Sequence, residues 1–361
     1  MERVKYSPDE FRGEFVEDRF GKAPVVHPPI TVRENFEAMF RGENPLWMPM
    51  TSDSKGFDPR VDPDNIARGF VFDGEAPYDR AKYGGPDMFG VPWVFVPVVG
   101  GSMVQPGKPL MEDANDWKDL IHMPDVNSWD WEGSAKANAQ WFENNKDYVQ
   151  TITFLNGTGF ERLISFMDFE GAAMACIDED QVDAVIELCD TIYEKVYAPY
   201  IDNVAKYYPT IDKICLHDDW GSQRAPFFSI NVGREIFVPI YKKFTDRVKS
   251  HGLMVELHSC GKNDLVVPAY IESGFQTWNG MWMNDKRALF EQYGDQFIFG
   301  VDPPKVAEDM NASQEDIEAG AKEFCEFYIR DGKCHVVGNM MRKNPLFVEA
   351  VYRISRQMLN A

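Results

Sequence analysis

The 361-residue sequence is short of positive charge and has no closely spaced cysteine pair and no long apolar run. Lysine and arginine total 37 against 58 aspartates and glutamates, which gives a formal charge of −21. A surface this acidic repels phosphate backbones, so we expect no nucleic-acid partner. Without a CxxC pair, the cysteines are expected to be thiols or ligands in a reducing compartment. They are Cys176, Cys189, Cys215, Cys260, Cys325 and Cys334.

Several common signatures are missing as well. The most apolar stretch, residues 91–104, is interrupted by proline and glycine and is not typical of a membrane span. The N-terminus, "MERVKYSPDEFRGEF", is charged throughout and does not resemble a secretory signal. No P-loop, no GxSxG and no GxGxxG after the first strand is present. We therefore expect a cytoplasmic protein with no membrane partner.

The first regular pattern is a helix that begins at Thr31 and ends at Gly42. Thr31 and Glu34 have the spacing of a capping box, and an apolar face follows. Residues 45–50, "PLWMPM", predict a short strand. Residues 51–150 are rich in glycine, proline, aspartate and tryptophan, which predicts long ordered loops with a few strands and a helix.

From residue 150 onward, strand-like and helical patterns alternate. The strand-like segments are "VQTITFL", "KICLHDDWG", "MVELHSCG", "FQTWNGM", "FIFGVDPP" and "CHVVGNM". A helical pattern follows each of them, which predicts parallel βα units. We expect an α/β fold, a single (β/α)8 TIM-type barrel over residues 1–361 with an irregular, loop-rich N-terminal part (1–150). An open doubly wound sheet is the alternative.

The segment "VELHSCG" places Glu256, His258 and Cys260 on one parity of a predicted strand. Alternate side chains of a strand point to opposite faces, so these three face the same way. Imidazole nitrogen and thiolate sulfur are preferred zinc ligands, and a catalytic zinc takes three protein ligands and leaves one position open. We predict that His258 and Cys260 bind zinc, and that Glu256 is a further ligand, a catalytic or positioning group, or an acid of the barrel interior.

The segment "HDDWG" places His217, Asp218 and Asp219 at the end of another predicted strand. The two aspartates are expected to face opposite ways. One would cap a helix or loop, and the other would face the pocket. We name Asp218 as the catalytic candidate and expect His217 to be structural.

Other polar and aromatic groups fall where predicted strands run into loops. In a barrel these ends form the mouth where active sites lie. Asp285 and Asp302 are turn residues or pocket groups. The substrate-binding candidates are Trp220, Trp282, Asn284 and Asn339.

Taken together, "HDDWGSQ", "FVPIYKKF", "HGLMVELHSCGKNDLVVPAYIESGFQTWN" and "NPLFVEAV" resemble the uroporphyrinogen decarboxylase superfamily. The resemblance covers residues 150–361 well and 30–130 loosely, and it implies a single βα barrel. True decarboxylases of this superfamily carry an arginine-rich segment after the first strand. Here no arginine occurs in that region before Arg60, which speaks against a porphyrin substrate.

The H-x-C-G at the end of a strand resembles the branch of zinc methyltransferases that work with corrinoid proteins. Thiol-methylating members carry a further cysteine before the last helix, where this chain has Gly338 or Asn339. The resemblance therefore implies the other members, which are O-demethylase-type enzymes of anaerobic metabolism. Such an enzyme moves a methyl group from a small donor, here a methoxylated aromatic, to the cobalt of a corrinoid protein, with zinc as Lewis acid.

Alternative functions remain at this stage. One is a methylcobalamin:thiol methyltransferase, and another is a cofactor-free lyase of the decarboxylase type. A barrel that only binds a small ligand or serves as a subunit is the third. A homodimer is also left open.

Overall fold

The structure is a computed structural model that describes residues 3–18, 21–98 and 100–360. Val99, in the apolar stretch 91–104, lies outside the described residues. The described strands are β1 (Phe11–Asp18), β2 (Gly21–Val26), β3 (Ser54–Gly56), β4 (Gly84–Pro86), β5 (Pro92–Val96), β6 (Gly101–Val104), β7 (Val149–Phe154), β8 (Lys213–His217), β9 (Met254–His258), β10 (Thr277–Trp278), β11 (Ile298–Val301), β12 (Ile329–Arg330), β13 (Lys333–Cys334) and β14 (Val336–Gly338).

Helices separate most of the later strands. They are α1 (Val32–Phe40), α2 (Pro63–Arg68), α3 (Trp117–Leu120), α4 (Trp131–Ala137), α5 (Ala139–Asn144), α6 (Phe160–Ala175), α7 (Val182–Ile192), α8 (Ala198–Tyr207), α9 (Ile230–Val232), α10 (Val238–Ser250), α11 (Val267–Glu272), α12 (Lys286–Tyr293), α13 (Gln314–Tyr328) and α14 (Pro345–Leu359). In the described residues, no helix combines the length and the apolar character needed to cross a bilayer.

The chain divides into two compact units. Unit 1 takes in the residues up to Lys55, the short segment Lys146–Val149 and the residues from Asp285 onward. Unit 2 takes in Gly56–Asn145 and Gln150–Asn284. The prediction of one domain over residues 1–361 stays a prediction.

Unit 2 contains the strands β7, β8, β9 and β10, which pair in chain order and run parallel. In the register of β8 and β9, Cys215 lies opposite Glu256 and His217 lies opposite His258. Helices lie between successive strands along the chain, as the alternating pattern predicted. The parallel arrangement brings the carboxyl ends of β8 and β9 to one edge of the sheet.

Unit 1 holds the parallel pair β11 and β14, with Val301 opposite Gly338. The antiparallel hairpin β1–β2 belongs to the same unit. A buried ion pair joins Glu10, just before β1, to Arg356 of α14 at 2.7 Å. The C-terminal helix is therefore anchored to the start of the described chain.

The predicted fold class is confirmed at the level of an α/β chain with parallel βα units. Within the described residues, unit 2 holds a run of four parallel strands and unit 1 a parallel pair, each fewer than the eight strands of a closed (β/α)8 barrel. The closed barrel therefore stays a prediction.

One predicted helix is confirmed, and one predicted strand is wrong. The α1 helix begins after Thr31, which forms the expected capping box with Glu34. Residues 45–50 do not form a regular strand, because only an isolated parallel bridge joins Met50 to Gly338. Prolines at positions 45 and 49 lack the N–H that a sheet ladder requires, which accounts for the difference.

Candidate metal centre

The site is built where β8 and β9 end side by side in unit 2. The last residues of these strands, His217 and His258, are partners in the parallel register. Their rings stack with centroids 4.7 Å apart and an interplanar angle of 22°. The β-sheet spacing alone therefore brings two imidazoles together at the carboxyl edge.

Asp219 joins the two histidines. His217, Asp219 and His258 each offer one ligand atom, and these atoms all lie within 4.8 Å of one another. Two atoms bound to one tetrahedral zinc at about 2.0–2.2 Å lie roughly 3.3–3.6 Å apart. The three ligand atoms would accordingly have to approach one another by about 1 Å to bind one zinc ion.

Cys260 lies beside this group. Its Sγ is 3.2 Å from Nε2 of His258, a few tenths of an ångström shorter than the roughly 3.5 Å between a sulfur and a nitrogen ligand of one tetrahedral zinc. The backbone N–H of Cys260 donates a 2.6 Å hydrogen bond to Oδ1 of Asp219. His258 and Cys260 lie side by side, although β9 ends at His258 and Cys260 lies in the turn that follows rather than on the predicted strand.

The turn after β9 is held by close packing of two backbones. Gly261 has φ +94°, and a Cβ at this position would lie 2.2 Å from the carbonyl oxygen of Gly221. The amide of Asn284 spans the turn, because its Nδ2 donates to the Gly261 carbonyl and its Oδ1 accepts from the Asn263 backbone. The orientation of Cys260 is therefore set by a turn that tolerates only glycine.

Glu161, near the start of α6, orients His217. Its Oε2 lies 2.5 Å from Nδ1 of His217, which leaves Nε2 as the nitrogen available to a metal. The other carboxylate oxygen of Glu161 lies 3.4 Å from Nη1 of Arg68. A carboxylate that fixes a histidine in this way is the usual support of a metal-binding imidazole.

Burial and charge shift the pKa values of these groups. Burial lowers the pKa of His258 to about 3, and neighbouring His217 adds to that effect, so His258 is neutral and able to bind a metal. Burial raises the pKa of the Cys260 thiol to about 12, with a further contribution from Asp219. For Glu161, burial is outweighed by His217 and Arg68, which lower its pKa to about 2. The centre thus places the negative charge of Glu161 near His258 and Cys260, which are neutral, while Glu161 raises the pKa of His217 against the effect of burial.

The catalytic candidate Asp218 lies apart from the ligand group and is fully buried. Its carboxylate accepts hydrogen bonds from the backbone N–H groups of Phe160 and Glu161, the first residues of α6. Nε1 of Trp220 and the hydroxyl of Tyr241 also donate to it. Burial raises the pKa of Asp218 to about 7. Asp218 therefore caps a helix and positions Glu161, while Asp219 is the aspartate that reaches the ligand group.

The second catalytic candidate, Glu256, points to the face of β9 that also carries His258. Its Oε2 lies 2.5 Å from Nζ of Lys213, in an ion pair whose side chains are 19% and 6% exposed. Sγ of Cys215 is 3.9 Å from Oε1 of Glu256. Glu256 is outside the group of His217, Asp219 and His258. Glu256 therefore pairs with a lysine of the neighbouring strand β8, and its predicted catalytic role stays a prediction.

The four substrate-binding candidates are placed in different surroundings. Trp220 is fully buried among aromatic rings, and Asn284 is buried in the turn described above. Trp282 is 77% exposed. Asn339, in unit 1, donates from Nδ2 to Asp302 at 2.9 Å. Of the four, Trp282 alone among the described residues presents a large free surface.

Three residues of the centre escaped sequence reasoning in whole or in part. His217 was expected to be structural, and Asp219 was considered only as the alternative to Asp218. Glu161 carried no signal, since it lies in a helix 56 positions from His217. The register of β8 and β9 could have indicated His217, because both strands end in histidine.

Comparison with known proteins gives an informative structural similarity. Neither known family profiles nor curated proteins match the sequence. Among solved structures, the fold is similar to that of a methyltransferase from Methanosarcina mazei, with a TM-score of 0.59 and 15% identity. That match covers 92% of this chain and 100% of the other. A β-1,4-D-mannanase from Cryptopygus antarcticus also matches, at 8% identity over 66% of this chain and 73% of the other, but its TM-score of 0.31 is too low to carry an argument.

Proposed function

We propose that the protein is a methyltransferase that moves a methyl group from a small methylated donor, a methoxylated aromatic, to the cobalt of a corrinoid protein, with zinc as Lewis acid. The observation that carries the proposal is the convergence of His217, Asp219 and His258 within 4.8 Å, beside Cys260. The shared fold with a methyltransferase supports the same reaction class.

The residues present fit a zinc ion. Imidazole, carboxylate and thiolate are the ligand types that zinc prefers. Two carboxylates, Glu161 and Asp219, lie close to the centre, so a divalent cation would offset negative charge there. When bound, zinc supplies a Lewis acid that stabilises negative charge on the leaving oxygen of a methyl ether.

The protein itself supplies ligands and their orientation. Three of the four side chains His217, Asp219, His258 and Cys260 would hold the ion and leave one position for the ether oxygen. Glu161 holds the imidazole of His217 through Nδ1. Asp219 holds the backbone of Cys260, so the loops after β8 and β9 keep their ligands together.

Metal analysis of single variants tests this proposal. We expect the wild type to hold about one zinc per chain. His258→Ala should lose zinc and should no longer transfer methyl from a methoxylated aromatic to a corrinoid. Two of the three variants His217→Ala, Asp219→Asn and Cys260→Ala should show the same losses. His251→Ala is the matched control, because His251 pairs with Asp202 in the same unit.

Three results would contradict the proposal. A purified protein without zinc, whose methyl transfer is the same in all four variants, would exclude the metal mechanism. A thiol that accepts the methyl group in place of cobalt would favour a thiol methyltransferase. Loss of carbon dioxide from an acid without metal or corrinoid would favour a lyase.

A further inference from the structure

Arg68 is held firmly next to the metal centre, in the same unit. It is the last residue of α2, and Gly69 ends the helix in the left-handed region at φ +81°. The guanidinium carbon lies 4.9 Å from the ring centroid of Trp93. A guanidinium stacked on an indole is pre-organised and loses little freedom when it binds a ligand.

The hydrogen bonds of Arg68 use one side of its guanidinium. Nη1 contacts Oδ1 of Asn156 and lies 3.4 Å from Glu161. Nε is buried and has no hydrogen-bond partner among the described residues. The Nε–H group lies on the edge of the guanidinium opposite Nη1. That edge could bind a carboxylate through two parallel hydrogen bonds, and its Nε–H donor is unused.

Two further donors, just after β7, have no hydrogen-bond partner among the described residues. Asn156 and Thr158 are fully buried, and neither Nδ2 of Asn156 nor Oγ1 of Thr158 has a partner in the described part of the chain. Nδ2 of Asn156 belongs to the same amide that contacts Arg68. Arg68 and Asn156 are in contact, and Thr158 follows Asn156 by two positions. Unpaired buried donors are costly, and an oxygen-rich ligand would satisfy them.

We propose that Arg68, Asn156 and Thr158 form a subsite for a carboxylate group of the methyl donor. This proposal deepens the proposed function, on which it rests. The side chains of Arg68 and Glu161 are each 13% exposed, so the cluster reaches the surface at Arg68. Through Glu161 it adjoins His217, so a carboxylate bound here would place the rest of an aromatic acid beside the metal ligands.

Binding of two matched probes tests the subsite without any need for catalysis. We would titrate 4-methoxybenzoate and its neutral analogue 4-methoxybenzamide into zinc-free and zinc-loaded protein, by calorimetry and by intrinsic tryptophan fluorescence. We expect the acid to bind at least about tenfold more tightly than the amide, because charge-assisted hydrogen bonds to arginine favour the carboxylate. Arg68→Met should abolish this preference.

Two more variants keep the result interpretable. Asn156→Asp replaces the unpaired Nδ2 donor by a negative oxygen and keeps the acceptor for Arg68. The affinity for 4-methoxybenzoate should therefore fall about tenfold or more, and the affinity for 4-methoxybenzamide should stay the same. This variant decides the question if Arg68→Met does not fold. Arg60→Met removes an arginine of the same unit that pairs with Asp73, and it should retain the preference.

Equal affinity for the two probes, or a preference that survives both Arg68→Met and Asn156→Asp, would overturn the subsite. A preference that needs zinc but does not need Arg68 would place the carboxylate on the metal and overturn it too. An Arg68-dependent preference in a protein that transfers no methyl group would uphold the subsite and refute the proposed function.

Discussion

The carboxylate of Asp219 accepts a 2.6 Å hydrogen bond from the backbone N–H of Cys260. Together with the bonds from Trp220 N–H to Ser259 Oγ and from Lys262 N–H to the Ser222 carbonyl, this bond joins the loop that follows β8 to the loop that follows β9. Each loop carries one of the motifs that sequence inspection singled out. Their direct connection explains how an aspartate and a cysteine 41 positions apart belong to one centre.

Removal of the charge that orients His217 should weaken metal binding. In Glu161→Gln the amide oxygen still accepts from Nδ1 of His217, but the negative charge is lost. Loss of such an outer carboxylate lowers metal affinity about 10- to 100-fold, and a competitive chelator titration with zinc measures it. Glu170→Gln, on the exposed side of the same helix, should bind zinc as the wild type does. Equal affinities in the two variants would remove Glu161 from the centre.

The turn at Gly261 should reject any side chain. Gly261→Ala combines a positive φ with a Cβ 2.2 Å from the Gly221 carbonyl, so it should lower the free energy of unfolding and displace Cys260. Gly252→Ala is the control, because Gly252 has φ +76° and no atom within 4 Å of its Cβ. We expect the control to lose about 1–2 kcal/mol from backbone strain alone. Urea denaturation should show a larger loss for Gly261→Ala, and equal losses would mean that the turn can relax.

A buried ion cluster in unit 2 should be sensitive to loss of its only described cation. Arg162 is fully buried and contacts Asp64 at 2.5 Å and Asp87 at 2.8 Å. Arg162→Met leaves two carboxylates uncompensated, so the free energy of unfolding should fall by about 3–5 kcal/mol. Arg234→Met, which breaks an exposed pair with Glu272, should cost no more than about 1 kcal/mol. Denaturant unfolding of both variants checks the contrast.

The stability of unit 1 should fall as the pH rises towards neutrality. Asp53 is buried, and burial raises its pKa to about 7, although the Met50 backbone N–H donates to it at 2.9 Å. A group whose pKa is higher in the folded than in the unfolded state stabilises the fold only at pH values at which it is protonated. The contribution is therefore full below about pH 4 and lost between about pH 4 and 7, with a slope of up to about 1.4 kcal/mol per pH unit.

Asp53→Asn removes this titration and keeps an acceptor for Met50. Its free energy of unfolding should vary less between pH 4 and 7 than that of the wild type, in urea titrations at a series of pH values. Parallel curves for the two proteins would show that Asp53 is ionised throughout this range.

Local sequence patterns predicted those structural features that depend on residues close together in the chain. The cap at Thr31, the helices after residue 150 and the parallel βα order all follow from periodicity and turn chemistry, and the structure contains them. The same reasoning failed at residues 45–50, where apolar character was present but prolines remove the necessary N–H groups.

Spacing along the chain accounts for one contact of the candidate centre. His258 is the last residue of β9 and Cys260 lies two positions on, in the turn, with Sγ 3.2 Å from Nε2 of His258. The sequence by itself therefore determined that an imidazole and a thiol lie within reach of each other, and the turn after β9 decided how they meet.

Only the tertiary structure decided which other groups meet them. The β8–β9 register brings His217 beside His258, and the contact with α6 adds Glu161. Burial then separated two adjacent acids, because Asp218 caps α6 while Asp219 faces the ligands. Register and burial depend on residues tens of positions away, which is why no local pattern could assign these roles.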